Sequence, residues 1–239
     1  MFENEKVVSY SSEKLIDEGL RNYMLKIYNY MAGGLTTTAI VAWFIASSPA
    51  ILKLFFTPHG YSLLGWLALF SPLIIIFAFG PVMSRGTLKQ VQAMFWGYSA
   101  LMGISLAPIF LAYTGASIAR VFLITAAMFG TLSLYGYTTK KDISGWGSFL
   151  IMGVIGLVIA SIVNIFLKST GLYYALSYLT VFIFAGLTAY DTQKLRSLYF
   201  AGVRNEDFGA RLAISGALSL YLDFINMFMA LLRLMGDRR

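Results

Sequence analysis

The sequence predicts an all-α membrane protein that crosses the bilayer about seven times. Three observations carry this reading: 58% of the 239 residues are hydrophobic, only 12% are charged, and apolar runs of bilayer length follow one another almost without pause. A soluble domain normally carries about twice that share of charge, and one of this size needs enough polar surface to face water. A mean hydropathy of +0.72 makes lipid the solvent of this chain.

Stretches of roughly twenty apolar residues, enough to cross ~30 Å of hydrocarbon, fall near 25–48, 61–83, 91–113, 116–138, 147–168, 173–196 and 211–235. The connection from Tyr113 to Ser117 is so short that the third and fourth spans are predicted to form a tight helical hairpin. Residues 1–24 form a separate amphipathic segment before a single transmembrane domain at 25–239. In it a helix from Ser11 to Lys26, capped by Ser11 and Ser12, carries Leu15, Ile16, Leu20 and Tyr23 on one face and is expected to lie along the membrane surface. Pro72 and Pro108 fall inside spans, where a proline kinks the helix and neighbours satisfy the freed carbonyl. Pro49, Pro58 and His59 sit in the first connecting loop, and His59 reads as an ordinary surface residue rather than a ligand.

Cysteine is absent and His59 is the single histidine, which removes thiolate and histidine-rich metal sites and most nucleophilic catalysis. No enzyme and no cofactor is expected. The net charge of +7 is spread over short loops rather than clustered, so positive-inside loops explain it better than nucleic acid. With the N-terminus cytoplasmic, the inner side holds Lys6, Lys14, Arg21, Lys26, Arg85, Lys89, Lys140, Lys141, Lys194, Arg196, Arg204 and Arg211, twelve of the eighteen basic residues. Seven spans then send the C-terminus outside, against which its Arg238-Arg239 end argues. The opening residues mix acids and bases around no short apolar core, so no cleaved signal peptide is expected.

Nine of the eleven acidic residues lie in the N-terminal segment, in loops or at the C-terminus. The other two are Asp191, toward the inner end of the sixth span, and Asp223, near the middle of the seventh. A carboxylate facing lipid costs several kcal/mol, so both must face the bundle interior or water. On the seventh helix Ser215, Ser219, Asp223 and Asn226 recur with helical spacing. On the sixth, Thr180, Thr188 and Asp191 repeat similarly, and Gly186 lets a neighbour approach. Measured from the inner helix ends, Asp191 lies ~10 Å deep and Asp223 nearer ~20 Å; tilt or a longer seventh helix is needed to bring them together.

Two like charges in low dielectric cannot both ionise cheaply, so a meeting pair should hold one proton at acidic pH. Deprotonated, and joined by Asn226 or backbone carbonyls, the pair offers oxygen ligands to a hard cation, calcium above all because it accepts irregular oxygen geometry. Arg85, at the inner end of the second span, either neutralises Asp191 as a latch or serves as a positive-inside anchor. The plainest alternative for the aspartates is a hydrogen-bonded pair that fastens two helices.

The run Tyr190-Asp191-Thr192-Gln193-Lys194, followed about thirty residues later by Leu218-Ser219-Leu220-Tyr221-Leu222-Asp223-Phe224-Ile225-Asn226, resembles the Bax inhibitor-1 (transmembrane Bax inhibitor motif) family. Thr138-Thr139-Lys140-Lys141-Asp142, Trp146 and Asn164-Ile165-Phe166 look like the same family, so the resemblance covers nearly the whole chain. It implies a seven-transmembrane-helix bundle with six helices around a central last one, acting as a pH-sensitive calcium leak. The family's pH-sensing aspartates fall on Asp191 and Asp223, and its latching arginine falls on Arg85. Lacking any eukaryotic extension, the chain looks like a bacterial member in the inner membrane, to which cell-death regulation does not transfer. Some bacterial relatives are linked instead to a membrane-bound ATP-dependent protease, which makes a non-transporting protease regulator the alternative.

Intramembrane aspartyl proteolysis fits poorly, because Asp223 follows Leu220-Tyr221-Leu222 where those proteases carry Gly-x-Gly, and no Pro-Ala-Leu follows it. Rhomboid-like serine chemistry is weaker still: Gly103-Ile104-Ser105-Leu106-Ala107 lacks the second glycine.

Overall fold

The structure, a computed structural model, describes residues 2–57, 60–201 and 206–239, with side chains from residue 18 onward apart from that of Glu206. Pro58, His59 and Arg204, and the side chains of Lys6, Ser11, Ser12, Lys14, Leu15 and Ile16, lie outside the described set. The helices are α1 (Phe2–Ser47), α2 (Pro49–Phe55), α3 (Leu63–Arg85), α4 (Leu88–Leu106), α5 (Ile109–Ala112), α6 (Gly115–Thr138), α7 (Trp146–Leu167), α8 (Thr170–Phe200) and α9 (Glu206–Met235). Among the described residues seven of these reach bilayer length and hydropathy, and they coincide with the seven expected spans, α4 and α5 together making the third.

Helix α9 is the axis of the bundle. Over its most apolar stretch 67% of residues are buried, against 6–33% in the other spans. It packs on α1, α3, α4, α6 and α8. Of the six helices around it α7 lies farthest out, packing principally against α8, and is correspondingly the least buried span. Its seam with α8 is close because Gly186 faces Leu150, where a Cβ would come within 2.9 Å.

The N-terminal segment differs from its expected surface position. No break separates it from the first span: α1 runs unbroken from Phe2, so Ser11 and Ser12 lie within a helix rather than at its start. Its apolar face is used inside the protein, with Leu20, Tyr23, Met24 and Ile27 buried in the core. An amphipathic stripe suits a helical partner as well as a lipid surface, and here α8 and α9 supply the partner.

Proline positions set the helix ends and kinks. Pro72, inside α3, cannot donate to the Ala68 carbonyl one turn back. That carbonyl instead accepts from Ser71 Oγ at 2.9 Å and from Ser105 Oγ of α4 at 2.8 Å. Ser105→Ala is therefore expected to destabilise the protein by about 0.5–1 kcal/mol, and to do so far less in a Pro72→Ala background, where the backbone N–H returns; thermal unfolding in detergent checks both. Pro108 does more than kink: it ends α4 and starts the short α5. The first connecting loop holds a feature not anticipated, a two-residue hairpin pairing Phe56 with Tyr61 and Thr57 with Gly60. At the opposite end of the chain the tail straps itself to the α5–α6 connection. Thr114 N donates to Asp237 O at 3.1 Å, Arg239 N to Ala112 O at 3.0 Å, and Arg120 pairs with Asp237.

Candidate functional site

Asp223 lies midway along the most buried helix, its residue only 3% exposed, and its Oδ2 is buried with no hydrogen-bond partner among the described residues. A carboxylate oxygen so placed is costly unless another group or an ion answers it. Asp191 is half-buried on α8 and close enough to act electrostatically on Asp223, while Lys194, one turn away, acts on Asp191.

The depth mismatch anticipated from the sequence shrinks for a definite reason. Both helices overrun the predicted ends, α8 to Phe200 and α9 back to Glu206. They meet where a Cβ on Gly216 would lie 2.5 Å from Leu195 Cδ2. In this antiparallel register Asp223 stands about one to two turns from the level of Asp191, roughly 5–9 Å along the axis.

A chain of hydroxyls reaches the same level from the other side. Thr192 Oγ1 donates to Thr188 O at 2.7 Å, so its oxygen accepts from Ser133 Oγ at 2.9 Å, and Ser133 in turn accepts from Tyr28 OH at 2.6 Å. The donor order is fixed because each hydroxyl has one proton to give. Thr188 and Thr192 are fully buried. The α6–α8 seam that holds this chain closes to backbone contact at Gly136, where a Cβ would lie 2.2 Å from Ala189 O.

The other residues singled out in the sequence are placed as follows. Thr188 is in the core at the level of Asp223, and its hydroxyl donates to Phe184 O at 2.8 Å. Ser219 and Asn226 are half-buried on the less enclosed side of α9, and the Asn226 amide donates to its own helix at Leu222 O, 2.8 Å away. The neighbour that Gly186 admits is α7, not α9. Arg85 is exposed at the end of α3 and forms no ion pair with either aspartate among the described residues. The carbonyls there are taken by Arg211 of α9, whose Nη1 donates to Met83 O at 3.2 Å and Gly86 O at 2.9 Å. Arg85 thus lies near the level of Arg211, roughly 9–13 Å along the axis from Asp191.

Gln193 of the sixth-span motif and Arg196 just beyond it have a role not read from the sequence. Gln193 accepts from Ile143 N at 2.9 Å and donates to Lys141 O at 2.8 Å, and Arg196 Nη1 donates to Tyr137 O at 3.0 Å. They clamp the α6–α7 loop onto α8. Asp142 in that loop accepts from Ser144 N at 2.9 Å, a bond that holds its carboxyl below the ordinary value of 3.8. Its contribution to folding is therefore present above that value and lost as pH falls through the depressed one.

Toward the C-terminal end of α9 no comparable chain of hydroxyls is found among the described residues. Phe224 packs on Phe122 and Phe129 with ring centroids 5.2 and 5.7 Å apart, and Phe228 packs on Phe122 at 6.1 Å. The small cavity beside them, about 70 Å³, is lined by Leu35, Ile118 and Ile225 among other apolar side chains. On the opposite flank Tyr221 OH bonds Thr38 Oγ1 at 2.7 Å, and Thr38 donates to Ser99 O at 2.8 Å, tying α9 to α1 and α4.

A central, largely buried helix that holds an acid, with a second acid on the helix packed most closely against it, among seven spans of bilayer length, defines a polytopic membrane protein. The chain matches the family model described as "Inhibitor of apoptosis-promoting Bax1" over residues 20–239, and it belongs to this Bax inhibitor-1 family. It is 47% identical over 230 residues to a protein of Rickettsia prowazekii, covering 96% of this chain and 95% of that one. It is 46% identical over 222 residues to the inner membrane protein YbhL of Escherichia coli, covering 92% and 94%. A Deinococcus radiodurans protein is 37% identical over 238 residues and covers both chains fully.

Proposed function

We propose that this protein is a pH-sensitive calcium leak of a bacterial inner membrane, gated by Asp191 and Asp223, with its N-terminus cytoplasmic. The observation that carries the reading is the unpartnered carboxyl oxygen of Asp223 in the core of the central helix, within electrostatic reach of Asp191. The membrane is argued from the name of YbhL, and the orientation from the excess of Lys and Arg on the side where α8 meets α9.

Calcium takes 6–8 oxygen ligands in a resident site. Among the described residues no group of three or more acidic or histidine side chains gathers to hold an ion. Two carboxylates supplemented by backbone carbonyls suit instead a hard cation that pauses and moves on, as conduction requires. A proton held between the aspartates removes the negative charge that attracts the cation and leaves the path occluded; losing it restores mutual repulsion and cation affinity. The apolar packing of Phe122 and Phe129 on Phe224 supports this reading, because a dry aromatic contact is what an occluded path requires. A latch from Arg85 to Asp191 would require α3 to move relative to α9, releasing the bonds from Arg211.

The test is calcium flux into proteoliposomes of purified protein across pH, for wild type, Asp191→Asn and Asp223→Asn. Flux that rises with pH in wild type and loses its pH response in both variants is expected. Unchanged flux and unchanged pH response in both would remove the pair from any gating role.

A further inference from the structure

Helices α1 and α6 are not among the closely packed helix pairs, although Tyr28 OH reaches Ser133 Oγ across them at 2.6 Å. A cleft of about 790 Å³ separates them. Its walls are apolar, with Met24 and Leu25 on one side and Phe129 and Leu134 on the other. Leu25 and Leu134 are 46% and 62% exposed, so the cleft opens sideways onto the surface that faces lipid. Tyr28 and Ser133, the start of the hydroxyl chain that ends at Thr192, also line the cleft.

The rim carries a cation. Ile27 packs at Gly216, which sets the level of α1 against α9 and places Arg21 near the end of the bundle, about 10 Å along the axis from Tyr28. Arg21 is exposed at the cleft mouth and pairs with no carboxylate among the described residues. A positive charge at headgroup depth above an apolar slot open to the hydrocarbon matches one chemical class of occupant, an anionic amphiphile with a long acyl chain. The guanidinium fork suits a phosphate in particular.

We propose that this cleft is a binding site for an anionic phospholipid, one acyl chain lying between α1 and α6 and the headgroup phosphate on Arg21. The chain fills a space that helix packing leaves open, and the phosphate answers a rim cation that has no acidic partner among the described residues. The site does not depend on whether the protein conducts calcium.

Gly130 gives a clean way to close the cleft, since a Cβ there would meet nothing within 4 Å and its position is exposed on the cleft wall. Native mass spectrometry of detergent-purified protein, offered phosphatidylglycerol or phosphatidylcholine with identical chains, reads the occupant directly. One phosphatidylglycerol is expected to be retained several-fold more strongly than phosphatidylcholine. Arg21→Gln should abolish that preference, Arg21→Lys should keep most of it, and Gly130→Phe should displace the lipid while leaving the melting temperature near that of wild type. Equal retention of the two lipids in wild type overturns the proposal, as does a preference that survives Arg21→Gln. A preference lost in Arg21→Gln but retained in Gly130→Phe places the lipid on the arginine outside the cleft, and also overturns it.

Discussion

Gly136→Leu is expected to destabilise the protein by about 3 kcal/mol or more, enough to prevent recovery of a monodisperse bundle from detergent. A Cβ on Gly136 would lie 2.2 Å from the carbonyl oxygen of Ala189 and 3.0 Å from its Cα, and these backbone atoms have no rotamer into which to retreat. The α6–α8 seam would have to open, and with it the Ser133–Thr192 bond one turn away on each helix. Gly130→Leu, one and a half turns earlier on the same helix but facing open space, is the matched control and is expected to unfold near the wild-type temperature. The yield of monodisperse protein, and thermal unfolding by circular dichroism of whatever is recovered, check both; equal yields and equal melting temperatures for the two variants would show that α6 and α8 do not touch here.

Under the proposed leak function, thinning the aromatic packing next to Asp223 should have a comparably large effect on calcium permeation. Phe224 is 3% exposed and holds the rings of Phe122 and Phe129 against α9, one residue past Asp223. A dry constriction of this kind excludes a hydrated cation by dewetting. Phe224→Ala is therefore expected to raise basal calcium flux on the order of tenfold or more, since each ~1.4 kcal/mol removed from a barrier is a factor of ten in rate. Truncating a buried Phe also costs about 3–5 kcal/mol of stability, so Phe224→Leu and Phe122→Ala, the latter at a ring that is 39% exposed, serve as milder companions that should raise flux by less. Proteoliposome flux normalised to folded protein reads the effect, and lowered flux in all three would place the closed constriction elsewhere.

What the sequence revealed and what it concealed divide along physical lines. Seven spans were legible because the length and continuity of apolar runs report directly on the bilayer. Asp191 and Asp223 were legible because ionisable residues at membrane depth are too costly to be incidental. Their relative depth was not, because it depends on the register of α8 against α9. That register is fixed at Gly216 and Leu195, and nothing in either residue alone announces it. The N-terminal stripe of Leu20 and Tyr23 was correctly seen as one apolar face but assigned to lipid. Periodicity identifies a face without naming what covers it. Ser105 was weighed as part of a serine motif, whereas its hydroxyl repairs the backbone gap made by Pro72 on the neighbouring helix. Gln193 was visible only as part of a motif, because its partners at Lys141 and Ile143 are about fifty residues away in sequence.

Under the proposed function, Asp191 and Asp223 admit or refuse a cation according to their protonation. The most direct measurement is calcium entry into vesicles that contain only the purified wild-type protein, recorded from acidic to alkaline pH. Entry that is low in acid and climbs as pH rises is the predicted result. No entry above protein-free vesicles at any pH would contradict it, and would leave the protein as a regulator that acts through a partner rather than as a path for ions.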